Sequence, residues 1–322
     1  MLFLMALSVS GQVTHKRTLS MLGSPFEIIV VAKDIPEADG YIDMAVAEVL
    51  RIEYLISDWI PTTPISIVNQ NAGIKPVKVP QEVFDLVGRA IKISELTSGA
   101  FDISYASMDK IWKFDGSMTQ MPTPEKIKAS VAKVGYKNII LDATNNTIFL
   151  KNVGMKLGLG GIGQGFIADK IKAMLVAKGV ISGIVNISGD INTWGKQLDG
   201  EKWKVGIKKP MNKDIVFATF PLEDSSVETS GSYEKYVTFN GKRYSHIIDT
   251  RTGYPASGVI SVSVFAKSTE LADALATGIF VLGVDVGLDL VNQLPGIGCI
   301  YVDDKGKIWT SKNIDLKSYK NE

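Results

Sequence analysis

The chain has 322 residues, with 35 Lys and Arg against 34 Asp and Glu, a net charge of +1, and 45% hydrophobic residues. This balance excludes an intrinsically disordered chain, and the lack of a basic excess excludes a nucleic-acid binder that works by bulk charge. One cysteine, Cys299, and two histidines, His15 and His246, exclude an intrachain disulfide framework, a zinc ribbon, an iron–sulfur site and a His-rich metal centre. Any metal must be held mainly by oxygen, which points to magnesium or calcium.

Residues 1–11 are read as a signal peptide. Residues 2–9 (LFLMALSV) are apolar, and small residues follow at signal-peptidase spacing, although a basic leading segment is missing. The run is too short to anchor in a bilayer, and no cysteine lies nearby for a lipid anchor. The same run also reads as a buried first strand. Without a long linker, repeat or low-complexity tract, residues 12–322 are read as a single domain.

Residues 26–32 (FEIIVVA) predict a strand. Residues 39–56 predict a helix from apolar Ile42, Ala45, Val46, Val49 and Leu50, and residues 83–96 repeat that spacing. Thr123-Pro124-Glu125 predicts a helix start, with a capping hydroxyl and then proline. Residues 138–142 and 147–151 flank Asn145-Asn146 as a hairpin. A helix is expected over 166–177 and strands over 184–187, 203–207, 216–220, 236–239 and 260–265. A last helix is expected over 269–281, ending near Gly283. Strands outnumber helices and often follow one another directly. That predicts an α+β fold with mixed, largely antiparallel sheets and flanking helices.

Four stretches carry candidate chemistry. Gly158-Leu159-Gly160-Gly161-Ile162-Gly163-Gln164-Gly165-Phe166 follows a strand-like run and opens a helix, so its backbone can approach a phosphate closely. It formally matches a dinucleotide-binding glycine pattern, but the acidic residue that such a site wants comes late, at Asp190. The stretch also reads as a tight turn with close helix packing. Asp273 and Thr277 lie four apart on one helix face and both offer oxygen to a hard cation. They also read as a dipole-stabilised aspartate and a packed threonine. Residues 245–255 (SHIIDTRTGYP) hold His246, with Asp249 placed either to orient it or to pair with Arg251. No nucleophile elbow supports a Ser–His–Asp hydrolase. Glu228-Thr229-Ser230-Gly231 can cradle a phosphate or form a simple turn. Asp102 in SGAFDIS offers a further acceptor, and Trp59 offers an aromatic face.

Taken in order, these stretches resemble the ApbE-type FAD:protein FMN transferases. The likeness runs from about Leu22 to Gly283. Leu22-Gly23-Ser24 resembles the opening strand of that family, and Ser66-Ile67-Val68-Asn69 its S-x-x-N segment. GAFDIS at residues 99–104 is similar to its GxFDxT block, and GGIGQGF at 160–166 to GGIAKGY. SGDI at 188–191 resembles GGDI, TSGSY at 229–233 matches TSGxY, HIIDTRTGYP at 246–255 resembles HIIDPRTGYP, and ADALAT at 272–277 is similar to ADALST.

The resemblance implies an ApbE-like, T-fold-like architecture with an FAD cleft between sub-domains. It implies that FAD binds with magnesium, that a Thr or Ser hydroxyl of an acceptor protein attacks the FMN-side phosphorus, and that AMP leaves. His246 would then be catalytic. Asp273, Thr277 and the Gly161 carbonyl would hold the metal. Leu22, Trp59, Asn69, Ala100, Phe101, Asp102, Gly158, Gln164, Thr229, Ser230, Ile248 and Asp249 would line the FAD site. The acceptor implied is a flavoprotein domain of a respiratory electron-transfer subunit. The leader adds an exported enzyme, in the periplasm or on the outer face of the inner membrane, beside a membrane-associated partner. Gln164 departs from the usual basic residue, Gly158 from the common Asp, Leu22 from Met and Thr250 from Pro. Three other classes remain open: a magnesium-dependent FAD pyrophosphatase, an NAD-dependent dehydrogenase and a non-enzymatic flavin-binding protein.

Overall fold

The computed structural model describes residues 11–210, 212–232 and 235–319. The expected leader up to Ser10, and Tyr233 of the TSGSY stretch, lie outside the described residues.

The chain opens with a hairpin of β1 (Val13–Met21) and β2 (Ser24–Ala32), joined through Leu22 and Gly23 at φ of 56° and 69°. Two successive left-handed residues give the turn whose twist matches paired strands. Helix α1 (Ile35–Ile56) starts earlier than residue 39, because Asp34 caps it by accepting the Glu37 N–H at 3.0 Å and a proline sits in the first turn. Then come α2 (Pro64–Gln70), β3 (Val77–Lys78), α3 (Gln81–Leu96) and α4 (Pro124–Ser130). Thr123 caps α4 as its sequence predicts. Strands β4 (Ile139–Asp142) and β5 (Thr147–Leu150) form the expected hairpin. Helix α5 (Gly163–Ala177) leads into β6 (Gly183–Ile187) and β7 (Asp190–Trp194).

The second half holds β8 (Trp203–Lys209), β9 (Asn212–Leu222), β10 (Ser226–Gly231), β11 (Tyr236–Phe239), β12 (Lys242–Ser245) and β13 (Val259–Ala266). Helix α6 (Thr269–Val291), β14 (Gly298–Asp303) and β15 (Ile308–Thr310) complete it. Helix α6 does not stop at Gly283: that residue breaks the helical backbone at φ 79°, and the helix resumes to Val291. By length and composition α6 could cross a membrane, yet its first half is a core helix with a buried aspartate.

An eight-stranded sheet in the order β1-β2-β6-β7-β10-β13-β14-β15 is the spine, and its described pairings are all antiparallel. Helices α1, α5 and α6 lie side by side against it. The largest core forms where α1, α3 and α5 bury Ile42, Val49, Leu86, Phe166 and Ile171 against Ile28 and Val185 of the sheet. The β8–β9 hairpin packs Phe217 and Phe220 on Val227, Phe265 and Ile300. Side chains of a strand alternate faces, so Ser226 and Glu228 point opposite to Val227, toward α6. The observed class is the α+β, largely antiparallel one that the sequence predicts.

Candidate active site

Three adjoining cavities meet at the glycine-rich loop that precedes α5. The first, about 480 Å³, is mostly apolar, with Ala100, Phe101, Tyr105, Trp112 and Ile248 on its walls. The second, about 330 Å³, is polar and acidic, lined by Gln164, Asp190, Glu228, Ser230 and Asp273. The third, about 250 Å³, runs between Leu22, Trp59 and Gln164. Gly160 borders all three, while Gly161, His246 and Thr277 border the first two. The arrangement is one cleft with an apolar and an anionic compartment.

Local chemistry fixes the loop. Both ends of the Asn69 amide clamp Leu157: the side chain donates to the Leu157 carbonyl at 2.9 Å and accepts its N–H at 2.7 Å. Asn69 therefore holds the loop from behind and does not border the described cavities. A Cβ on Gly158 would sit 3.1 Å from the Tyr105 hydroxyl, and one on Gly160 would sit 2.9 Å from it. Tyr105 thus lies across the loop in the space a side chain at 158 would fill, and the Gly160 N–H donates to its oxygen. Tyr105 as a whole is 38% exposed, but desolvation of its phenol raises the pKa to about 12, so it is protonated at neutral pH.

The opposite wall comes from the turn after α3. Ser98 and Gly99 are left-handed, and they swing Ala100, Phe101 and Asp102 into the apolar cavity. Asp102 is buried, and its carboxylate accepts from the Ser104 N–H at 2.8 Å, the Ser104 hydroxyl at 2.6 Å and the Tyr136 N–H at 2.8 Å. Burial raises its pKa, and these bonds oppose the shift. Its main work in this structure is to hold the wall in shape. Trp59 is 78% exposed, and the Lys110 ammonium stands 4.8 Å from its ring centroid. That makes it an open aromatic face rather than a core residue.

Helix α6 supplies the oxygen donors. Asp273 is buried, and its Oδ2 accepts the Gly165 N–H at 3.1 Å, taking the place of a side-chain cap on α5. One turn on, the Thr277 hydroxyl lies 3.3 Å from the position a Gly161 Cβ would occupy. Asp273, Thr277 and the backbone of Gly161 therefore converge across the α5–α6 contact.

The sequence reading gave no site role to two further acidic residues here. Asp190 and Glu228 join Asp273 in a buried group whose carboxylate oxygens lie within 4.8 Å of one another. Each stands within a noted stretch, Asp190 in SGDI and Glu228 at the head of Glu228-Thr229-Ser230-Gly231, but only sheet pairing brings the two together. Ser188 and Gly189 make a left-handed hairpin turn that starts β7 at Asp190, and β7 pairs with β10 two residues later, at Asn192 and Ser226. Burial, and then the neighbouring carboxylates, push Asp190 and Glu228 well above the usual carboxylate range. Burial raises Asp273 to about 7, against the Gly165 hydrogen bond.

His246 sits where the apolar and acidic compartments join. Its Nδ1 lies 3.1 Å from the Lys235 carbonyl, and its ring meets Phe114 edge-on. A carbonyl can only accept, so Nδ1 carries a proton in this arrangement. Asp249 does not orient this ring: Arg251 takes it with side-chain bonds of 2.8 and 2.9 Å, the second of the two roles its sequence allows. Ile248 does face the apolar cavity. Thr229 and Ser230 border the acidic one, where Thr229 shares a 2.7 Å hydrogen bond with Ser263 and Ser230 donates to Glu228 at 3.4 Å.

A family model described as "ApbE family" matches residues 22–301. This chain belongs to the ApbE family. A FAD:protein FMN transferase of Treponema pallidum is 33% identical over 265 residues, covering 78% of this chain and 73% of the relative. One from Klebsiella pneumoniae is 30% identical, over 88% and 87% of the two chains. The crystal structure of the ApbE protein of Thermotoga maritima superposes with a TM-score of 0.85 at 29% identity, over 96% of this chain and 100% of that one. A flavin transferase ApbE from Vibrio cholerae gives 0.82 at 26% identity, over 95% and 100%. Against the family pattern, Tyr105 occupies the space next to Gly158, where an Asp is common.

Proposed function

We propose that this chain transfers FMN from FAD to a Thr or Ser hydroxyl of an acceptor protein, with release of AMP and dependence on magnesium. It is a transferase by family, and the curated relatives above are named FAD:protein FMN transferase, which supports the flavin-transfer part of this reading. The observation that carries the reading is the junction of an apolar and an anionic cavity at Gly161, His246 and Thr277. FAD has a two-part form: flat rings suit the apolar cavity, and its anionic diphosphate suits the acidic cavity only with a divalent cation held between the two.

The all-oxygen donor set of Asp273, Thr277 and the Gly161 carbonyl fits a hard cation. Magnesium held there would supply positive charge against the departing phosphate. Ala100, Phe101 and Ile248 offer apolar contact to a ring, and Trp59 an exposed stacking face. Gln164 reaches the phosphate compartment as a neutral amide. His246 Nε2 is placed to take the proton from the acceptor hydroxyl. The hydroxyl oxygen bonds the FMN-side phosphorus as the bridging P–O bond breaks, and AMP departs with the electron pair. We further propose an exported enzyme that modifies a respiratory electron-transfer subunit. Incubating the protein with FAD, magnesium and an acceptor domain tests the reading: the expected result is an FMN-phosphoryl mass gain on the acceptor matched by AMP. AMP and free FMN without an adduct would instead support a pyrophosphatase.

A further inference from the structure

Helix α6 carries Asp273 and Thr277 to the cleft, and its first turn is gripped from outside. The opening N–H groups of a helix have no partner within it. One side chain at the N-cap usually serves them, and Ser268 does so here by accepting the Leu271 N–H at 3.2 Å. A second acceptor comes from α5. The half-buried Asp169 takes the Thr269 N–H on Oδ1 at 2.9 Å and the Glu270 N–H on Oδ2 at 3.1 Å. Its Oδ2 also accepts the Ser268 hydroxyl at 2.6 Å, and its Oδ1 the Asn192 amide of β7 at 2.7 Å. One carboxylate thus joins α5, α6 and β7 through four hydrogen bonds, and its charge sits at the positive end of the α6 dipole. On the far side of the same turn, Arg89 of α3 holds Glu270 with bonds of 2.5 and 2.8 Å.

We infer that Asp169 is a positioning residue for the oxygen donors of the cleft, setting where α6 presents Asp273 and Thr277. It borders none of the cavities that form the cleft and acts only through α6. The spacing carries the argument. Asp169 lies four residues after Gly165 on α5, and Asp273 lies four after Thr269 on α6, so each pair shares a helix face. Asp169 grips Thr269, and one turn away the Gly165 N–H donates to Asp273 at 3.1 Å. Two grips a turn apart fix both the height and the rotation of α6 against α5. With the Asp169 grip gone, α6 hangs on the Gly165 bond alone at this contact, and that bond is to a proposed metal ligand. The consequence for catalysis rests on the reaction proposed above; the grip itself does not.

The test is amide hydrogen exchange of the full chain by NMR, with neither nucleotide nor metal, followed by a magnesium titration of transfer. Asp169→Asn keeps the shape, but it sets an amide donor against the Glu270 N–H. The Gly165 amide should then exchange at least ~10-fold faster, while the amides of the later turns of α5 stay within about twofold of wild type. The magnesium concentration for half-maximal transfer should rise about tenfold, and the Kd for FAD without metal should move less than about threefold. Asp169→Glu keeps the charge and lengthens the arm by one methylene, so it should fall between wild type and Asp169→Asn, and it stands in if the Asn variant does not fold. A residue that only stabilises the fold would lower Tm and leave Gly165 as protected as its neighbours on α5; that result would overturn the inference. Faster Gly165 exchange beside a wild-type magnesium dependence would overturn it as well, because the donors would then not depend on the grip. The transfer reading fails separately, if the wild-type chain itself gives no adduct, and the exchange data then decide the grip alone.

Discussion

His246 is the residue on which chemistry and binding can be separated. With Nδ1 3.1 Å from the Lys235 carbonyl, the ring stands at the junction of two cavities. His246→Ala should slow transfer roughly 10²- to 10⁴-fold, the range of a lost general base, while the FAD Kd moves less than about tenfold. Stopped-flow transfer rates beside fluorescence-monitored FAD binding check this, and equal losses in both would make it a binding residue. Asp273→Ala should remove transfer by about 10²-fold or more with a smaller loss of FAD binding. Full activity of that variant with magnesium present would remove Asp273 from the metal site. Tyr105 and Gly158 form a third case. Gly158→Asp alone should weaken FAD binding about tenfold, because the new side chain meets the Tyr105 hydroxyl. Adding Tyr105→Val should recover much of that loss, and a double-mutant cycle on the FAD Kd measures it.

Helices α5 and α6 meet at Gly165, and this contact decides whether the donors converge. A Cβ there would run into the Thr269 carbonyl, while its N–H holds Asp273. Gly165→Ala should cost roughly 1–3 kcal/mol from overpacking, read as a lowered Tm, and should reduce transfer through displacement of Asp273. Much at this scale was legible. Helix α4 announced itself by its Thr123 cap and proline, and α1, α3 and α5 by 3.6-residue spacing, because an amphipathic helix writes its buried face into a short window. Strand β10 was not: Thr229, Ser230 and Gly231 look like a turn, and only its pairing with β13 makes them a strand. The cut at Gly283 was visible as a helix end, yet the helix resumes, since apolar residues beyond it still pack on the Tyr301 core.

Across the whole molecule, the cleft is built from segments far apart in sequence. The Asn69 clamp on Leu157 spans 88 residues, and the Asp273 contact with Gly165 spans 108. Motif order named Ala100, Phe101, Gly158, Gln164, His246 and Thr277, which border the cleft, and their chemistry suggested an oxygen-held metal. No local pattern could reveal that Asp190 and Glu228 share one buried space, since that follows from strand order in the eight-stranded sheet. Nor could it show that Asn69 and Asp249 hold loops rather than border the cavities. Local signals fix the elements, and long-range pairing fixes the electrostatics.

The central claim is that one cleft splits FAD and passes its FMN part to a protein hydroxyl. The direct measurement is the intact mass of an acceptor domain, with and without its target Thr, after incubation with this protein, FAD and magnesium. The account predicts one FMN-phosphoryl adduct per acceptor with an equal amount of AMP, and no adduct when the Thr is replaced by Ala. An unmodified acceptor beside intact, bound FAD would contradict it.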